Sequence, residues 1–186
     1  TERLTEPLRH DASNHDVGFR TYCSAGNALR LTGEKRYAAF LHDTAAALRT
    51  RYDEKLGLIR SWDSRQGGRY NPNFMVIIDN MMNLELLMFI GNMDNNEWLR
   101  HVAISHADVT MKNHFREDYT TCHLVDYVPG TGEVNKKITV QGLADSSAWA
   151  RGQAWALYGY TMMYQQTGDK KYLHLAQNVG DMIEKH

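Results

Sequence analysis

One punctuation mark recurs three times in this chain and limits what it can fold into. The segments are Ala28-Leu-Arg-Leu-Thr-Gly-Glu-Lys-Arg-Tyr37, Leu87-Met-Phe-Ile-Gly-Asn-Met-Asp-Asn-Asn-Glu-Trp98 and Met163-Tyr-Gln-Gln-Thr-Gly-Asp-Lys-Lys-Tyr172. Each runs from an apolar helical stretch to a Gly, then polar residues, then an aromatic that opens another helix. The Gly (Gly33, Gly91, Gly168) is placed to end the first helix in the left-handed conformation. The Glu, Asp or Asn behind it can favour the next helix start. Each unit therefore reads as an αα-hairpin. Periodicity predicts helices over 16–31 and 35–52, 78–90 and 95–114, and 147–166 and 170–185. Long connections separate the hairpins, over 55–76 and 115–146, with a β-like run at Lys137–Gln141. Connectors of that length in a helical array usually carry function. Hairpins at this spacing predict an all-α, curved or closed array.

At 186 residues the chain has the length of one domain. Its net charge of −1 gives no broad electrostatic footprint for nucleic acid or anionic lipid. No apolar run approaches a membrane span. Cys23 and Cys122 are the only cysteines, and neither a disulfide scaffold nor a zinc spacing is present. Two such cysteines fit a cytoplasmic or a periplasmic protein, and the compartment stays open. The histidines and carboxylates are scattered, without a metal-binding pattern, and no phosphate-binding or dinucleotide loop occurs. No metal or cofactor is expected.

The densest chemistry lies in Asp145-Ser-Ser-Ala-Trp-Ala-Arg-Gly-Gln-Ala-Trp-Ala-Leu-Tyr-Gly-Tyr160. Trp149, Gln153 and Ala156 share one helical stripe, Arg151 and Trp155 another. Indoles can cover pyranose faces, a guanidinium can meet a carboxylate, and an amide can read hydroxyls, a mixture suited to a sugar acid. A buried helix end with one satisfied Arg would look the same.

Three blocks together resemble the unsaturated glucuronyl hydrolases of glycoside hydrolase family 88. They are His15-Asp-Val-Gly-Phe19, Ile78-Asp-Asn-Met-Met-Asn-Leu-Glu-Leu-Leu87, and Gln141-Gly with Asp145 through Trp155. The resemblance implies an (α/α)6 barrel, six hairpins closed into a toroid. Residues 1–186 would supply about three of them as a single partial catalytic domain. Half a toroid leaves apolar helix faces open, so self-association of the isolated segment is expected. The resemblance also implies a substrate: an oligosaccharide ending in a 4,5-unsaturated uronic acid. Asp79 would be the general acid and base, with Asp16 as a second carboxylate beside it. His15, His123, Gln141, Trp149, Arg151 and Trp155 would contact the substrate.

On the residues alone, Asp79 and Asp16 read first as helix N-caps, and His15 and His123 as loop histidines. Trp62 reads as packing or as a further wall of the site. Two alternatives remain: a non-catalytic helical-repeat binding module, and the related family 105 of unsaturated rhamnogalacturonyl hydrolases.

Overall fold

The computed structural model describes residues 6–63 and 73–185. Gly67, Gly68 and Pro72 of the first long connection lie outside the described residues. After a short turn at Glu6–Leu8, three helical hairpins follow in chain order. Helix α1 is built of Val17–Thr21, a π-helical turn Tyr22–Gly26 and Asn27–Thr32; its partner α2 is Lys35–Arg49. A 3-10 turn at Ile78–Asn83 leads into α3, Leu84–Met93, which pairs with α4, Glu97–His114. The third hairpin is α5, Ala150–Thr167, and α6, Lys170–Lys185. Helices α1, α3 and α5 lie side by side, while α2, α4 and α6 back them. Their facing sides form one apolar core, with Leu41, Leu48, Leu84, Leu86, Leu87, Val102, Tyr160 and Val179 almost fully buried.

The outer two hairpins turn as their matching sequences predict. Gly33 and Gly168 sit at φ 69° and 71°, a region that a Cβ would disfavour. In each, the preceding threonine folds back on its own helix: Thr32 Oγ donates to Ala28 and Thr167 Oγ to Met163. Those hydroxyls then accept from the Glu34 and Asp169 amides. The middle hairpin departs from the pattern. Gly91 remains inside α3, and Asn95 takes the left-handed turn at φ 56°. Gly91 is there for space: a Cβ would come within 2.7 Å of the Arg100 side chain. Asn96 then caps α4 by accepting from the Trp98 and Leu99 amides.

The long connections hold strands that periodicity did not reveal. Strands β1 (Tyr52–Asp53) and β2 (Leu58–Ile59) form a small ribbon. Strands β3 (Phe74–Ile77), β4 (Leu124–Tyr127) and β5 (Val134–Ile138) form an antiparallel sheet in that order. The expected β-like run at Lys137–Gln141 overlaps β5 only at Lys137 and Ile138, because the strand lies three residues earlier in the chain. Helix α5 packs closely on the 3-10 turn because Gly152 and Gly159 present no side chain there. A Cβ on Gly159 would lie 2.5 Å from Met81, and one on Gly152 would lie 3.0 Å from Ile78.

Replacing Asn96 by Ala strips the first turn of α4 of both side-chain hydrogen bonds. The expected loss is about 1 kcal/mol of stability. It should appear as a lower denaturation midpoint at unchanged m-value; an unaltered midpoint would assign the turn's stability elsewhere.

Candidate active site

Strand pairing assembles the site. The register of β3 on β4 sets Ile77 opposite Leu124, and the Ile78 amide donates to the His123 carbonyl at 3.0 Å. Asp79 is the next residue, at the point where the strand becomes the 3-10 turn. On the other side of β4, Leu124 pairs with Ile138, which swings residues 139–141 over the His123 ring. On the far edge of β3, a bridge between Trp62 and Met75 brings Trp62 in, and the His15 amide donates to the Ser61 carbonyl. Residues spread from 15 to 151 thereby meet around one carboxyl group.

That carboxyl is only 6% exposed. Asp79 Oδ1 lies 3.9 Å from His123 Nε2, and Oδ2 lies 3.6 Å from Arg151 Nε. Burial pushes the Asp79 pKa up to about 6; the Arg151 charge opposes the rise and the Asp16 charge adds to it. Asp79 lies inside the 3-10 turn, whose N-cap position is Ile77, and Asp16, at the N-cap of α1, makes no side-chain capping hydrogen bond. The capping alternative therefore does not describe either residue.

The protonation of His123 follows from its neighbours. Its Nδ1 receives the main-chain amides of Val140 at 3.0 Å and Gln141 at 3.3 Å. Amides can only donate, so Nδ1 must keep its lone pair and a neutral ring carries its hydrogen on Nε2. Burial, with Arg151 adding to it, lowers the His123 pKa to about 4. At neutral pH the ring is thus a fixed, uncharged donor pointed toward Asp79.

Arg151 covers the open side. Its guanidinium stacks over the Trp149 ring at 4.1 Å and donates to the Gln141 side-chain carbonyl. Trp149 in turn lies 4.4 Å from the His123 ring. Trp62 stands edge-on to both His15, at 6.2 Å, and His123, at 6.5 Å, and so belongs to this aromatic wall. The buried His15 ring contacts Asp16 Oδ1 through Nε2 at 3.1 Å.

Two further residues of α5 have other neighbours. Trp155 has Phe19 and Tyr158 as aromatic neighbours, further along the inner helices. Gln153 is buried and spent on Thr121: it accepts from the Thr121 amide and donates to its hydroxyl. It cannot read sugar hydroxyls as its helical stripe had implied. Asn80 and Asn83, to which the sequence assigns no role, are fully buried beside the site. Their signal was two amides inside a Met/Leu-rich run. No group of three or more His, Cys, Asp or Glu among the described residues is arranged to hold a metal.

The three paired helices, with the buried Asp79 carboxyl at one end of the inner helices, are arranged as part of an (α/α)6 barrel. An unsaturated glucuronyl hydrolase described as specific for heparin superposes with a TM-score of 0.92 at 46% identity, over 97% of this chain and 47% of that one. A complex of an unsaturated glucuronyl hydrolase variant with dGlcA-Glc-Rha-Glc gives a TM-score of 0.83 at 29% identity, over 90% of this chain and 44% of that one. In sequence, the unsaturated glucuronyl hydrolase of Formosa agariphila is 40% identical over 98% of this chain and 45% of its own length. No protein-family profile matches the chain. The chain belongs to the unsaturated glucuronyl hydrolases of glycoside hydrolase family 88. It spans about half the length of the curated relatives it matches.

The Asp79 pKa has a consequence for stability. It lies above the unfolded value of 3.8, so the folded state binds more protons between the two. Stability therefore falls as pH rises from about 4 to about 6, and the cost persists above. Asp79→Asn removes that cost. It should stabilise the protein at pH 7 by an amount on the order of 3 kcal/mol, with the gain vanishing below about pH 4. Denaturant titrations at both pH values check this; equal stability of the two proteins at pH 7 would mean that the carboxyl is not held out of its ordinary range.

Proposed function

We propose that the full-length protein removes a 4,5-unsaturated uronic acid from the non-reducing end of lyase-generated oligosaccharides. One observation carries the reading: a buried carboxyl with its pKa near 6, faced by a neutral histidine donor and a cation stacked on an indole. Names of relatives refer to unsaturated glucuronyl and chondroitin disaccharide substrates, which share this terminal ring.

The ring is a vinyl ether. Protonated Asp79 gives its proton to C4, and positive charge develops across C5 and the ring oxygen. The Asp79 carboxylate then takes a proton from water as the hydroxide adds to C5. The resulting hemiketal opens to a C5 ketone, and the hemiacetal at C1 expels the remaining sugar as an alcohol. One group that gives and recovers a proton suffices, without a covalent sugar–enzyme bond. In this reading Arg151 meets the uronate carboxylate and Trp149 lies against the ring. The His123 Nε2 hydrogen is available to a substrate or water oxygen placed between it and Asp79. Gln141, tied to Arg151, helps to hold that oxygen, and Asp16 keeps the Asp79 proton affinity high. Trp155 serves the inner helices, where further hairpins would complete the ring. As an isolated segment the chain would bury that open inner face by self-association.

Asp79→Asn in the full-length protein keeps the shape of the side chain and removes the proton. Incubated with an unsaturated uronyl disaccharide, it should leave the double-bond absorbance intact while still binding the sugar. Retention of more than about a tenth of wild-type kcat, roughly 1.4 kcal/mol of barrier, would give the proton to another residue. Wild-type protein that binds the disaccharide and leaves the absorbance unchanged would instead indicate a binding module.

A further inference from the structure

Asn80 and Asn83 belong to the Ile78-Asp-Asn-Met-Met-Asn block, yet the proposed reaction gives them no task. Both are fully buried. Their hydrogen bonds form one directed chain. The Phe19 amide donates to Asn83 Oδ1 at 2.9 Å, which fixes the orientation of the Asn83 amide. Asn83 Nδ2 must then be the donor. It reaches Asn80 Oδ1 at 2.8 Å and His15 Nδ1 at 3.2 Å. Asn80 Nδ2 donates to the Ile59 carbonyl at 2.7 Å, which fixes the second amide in the same sense. Both anchors are main-chain groups whose donor or acceptor character cannot be exchanged. With its Nδ1 accepting, a neutral His15 carries its hydrogen on Nε2 and gives it to Asp16 Oδ1, 3.1 Å away. Burial keeps the ring neutral by lowering its pKa; Asp16 and a side-chain hydrogen bond with Asn80 work against it, and the Arg51 charge works in the same direction as burial. The edge of Trp62 faces the ring at 6.2 Å.

We infer that Asn83, oriented in turn by Asn80, is a positioning residue: it selects the Nε2-protonated form of His15, which holds the Asp16 carboxylate at the Asp79 site. The inference rests on the hydrolase reading for its kinetic consequence and on geometry alone for the tautomer. Asp16 is half exposed at the end of a loop, so without a donor behind it the carboxylate would be free to turn into solvent. The Gly18 position shows how tightly the relay is seated: a Cβ there would lie 2.7 Å from Asn83 Oδ1.

Ring-nitrogen NMR of the wild-type full-length protein at pH 7 should show His15 neutral with its hydrogen on Nε2. Asn83→Asp is isosteric and still accepts from Phe19, yet it presents an acceptor to Nδ1. With that carboxylate ionised, the ring carries hydrogen on Nδ1 or becomes an imidazolium. In that variant kcat should fall about tenfold while KM stays within about threefold. A wild-type ring protonated on Nδ1 or doubly protonated at pH 7 overturns the inference, whether or not the variant folds. So does a folded Asn83→Asp protein whose kcat remains within twofold of wild type. Failure of the hydrolase reading is distinct: the wild type would then leave the double bond intact, while the His15 spectrum would still decide the relay.

Discussion

The hydrogen bonds between Phe74–Ile77 and Leu124–Tyr127 hold the functional cluster in place. Helical hairpins alone bring the start of α3 and the end of α4 to the same end of the array, but they do not fix the separation and orientation of Asp79 and His123. A four-residue antiparallel pair does so with little freedom, since a slip of one residue would turn every side chain to the opposite face. The same short sheet then recruits its neighbours from both edges. Strand β5 delivers the amides that fix His123, and the Trp62 bridge delivers the aromatic wall and, through Ser61, His15.

The cluster is costly to the fold in a way that the helices compensate. A carboxyl, two imidazoles and two carboxamides lie buried in it. Each would be expensive if left without partners or ionised in an apolar setting. The histidines avoid the charge penalty by remaining neutral, and the carboxamides by bonding main-chain groups. Asp79 does neither in full. Its surroundings leave it in a high-energy state when ionised, which is the condition a proton donor requires. The apolar seam between the inner helices and the backing layer, sealed by Gly152 and Gly159 against the 3-10 turn, provides the rigidity that lets this persist.

Much of this was legible in the sequence, and the exceptions have physical causes. The three hairpins follow from long periodic runs, which report tertiary burial directly. Predicted helix ends at 31, 114 and 166 lie at or within one residue of Thr32, His114 and Thr167. Gly91 misled because a glycine can serve close helix packing as well as a turn. Strand β3 was hidden because its apolar residues run straight into the Met/Leu helix, and a short buried strand has no distinguishing period. Asp79, His123, Trp149, Arg151 and Gln141 were named through the family resemblance and are brought together by the fold. The roles of Asn80 and Asn83 depend on partners at Phe19, Ile59 and His15, contacts that no local spacing encodes. Gln153 lay on the promising stripe, but the stripe could not say which side faced Thr121.

The two histidines were described as neutral by virtue of burial and of what their Nδ1 atoms accept. Taken with the raised pKa of Asp79, this makes proton traffic and anion capture a single event at that carboxyl. A negative group settling beside Asp79 raises its proton affinity still further, so near neutral pH a uronate would arrive together with a proton drawn from the buffer. Binding heat would accordingly vary with the ionisation enthalpy of the buffer. On the proposed reading, the cleft would load its own acid as the substrate enters.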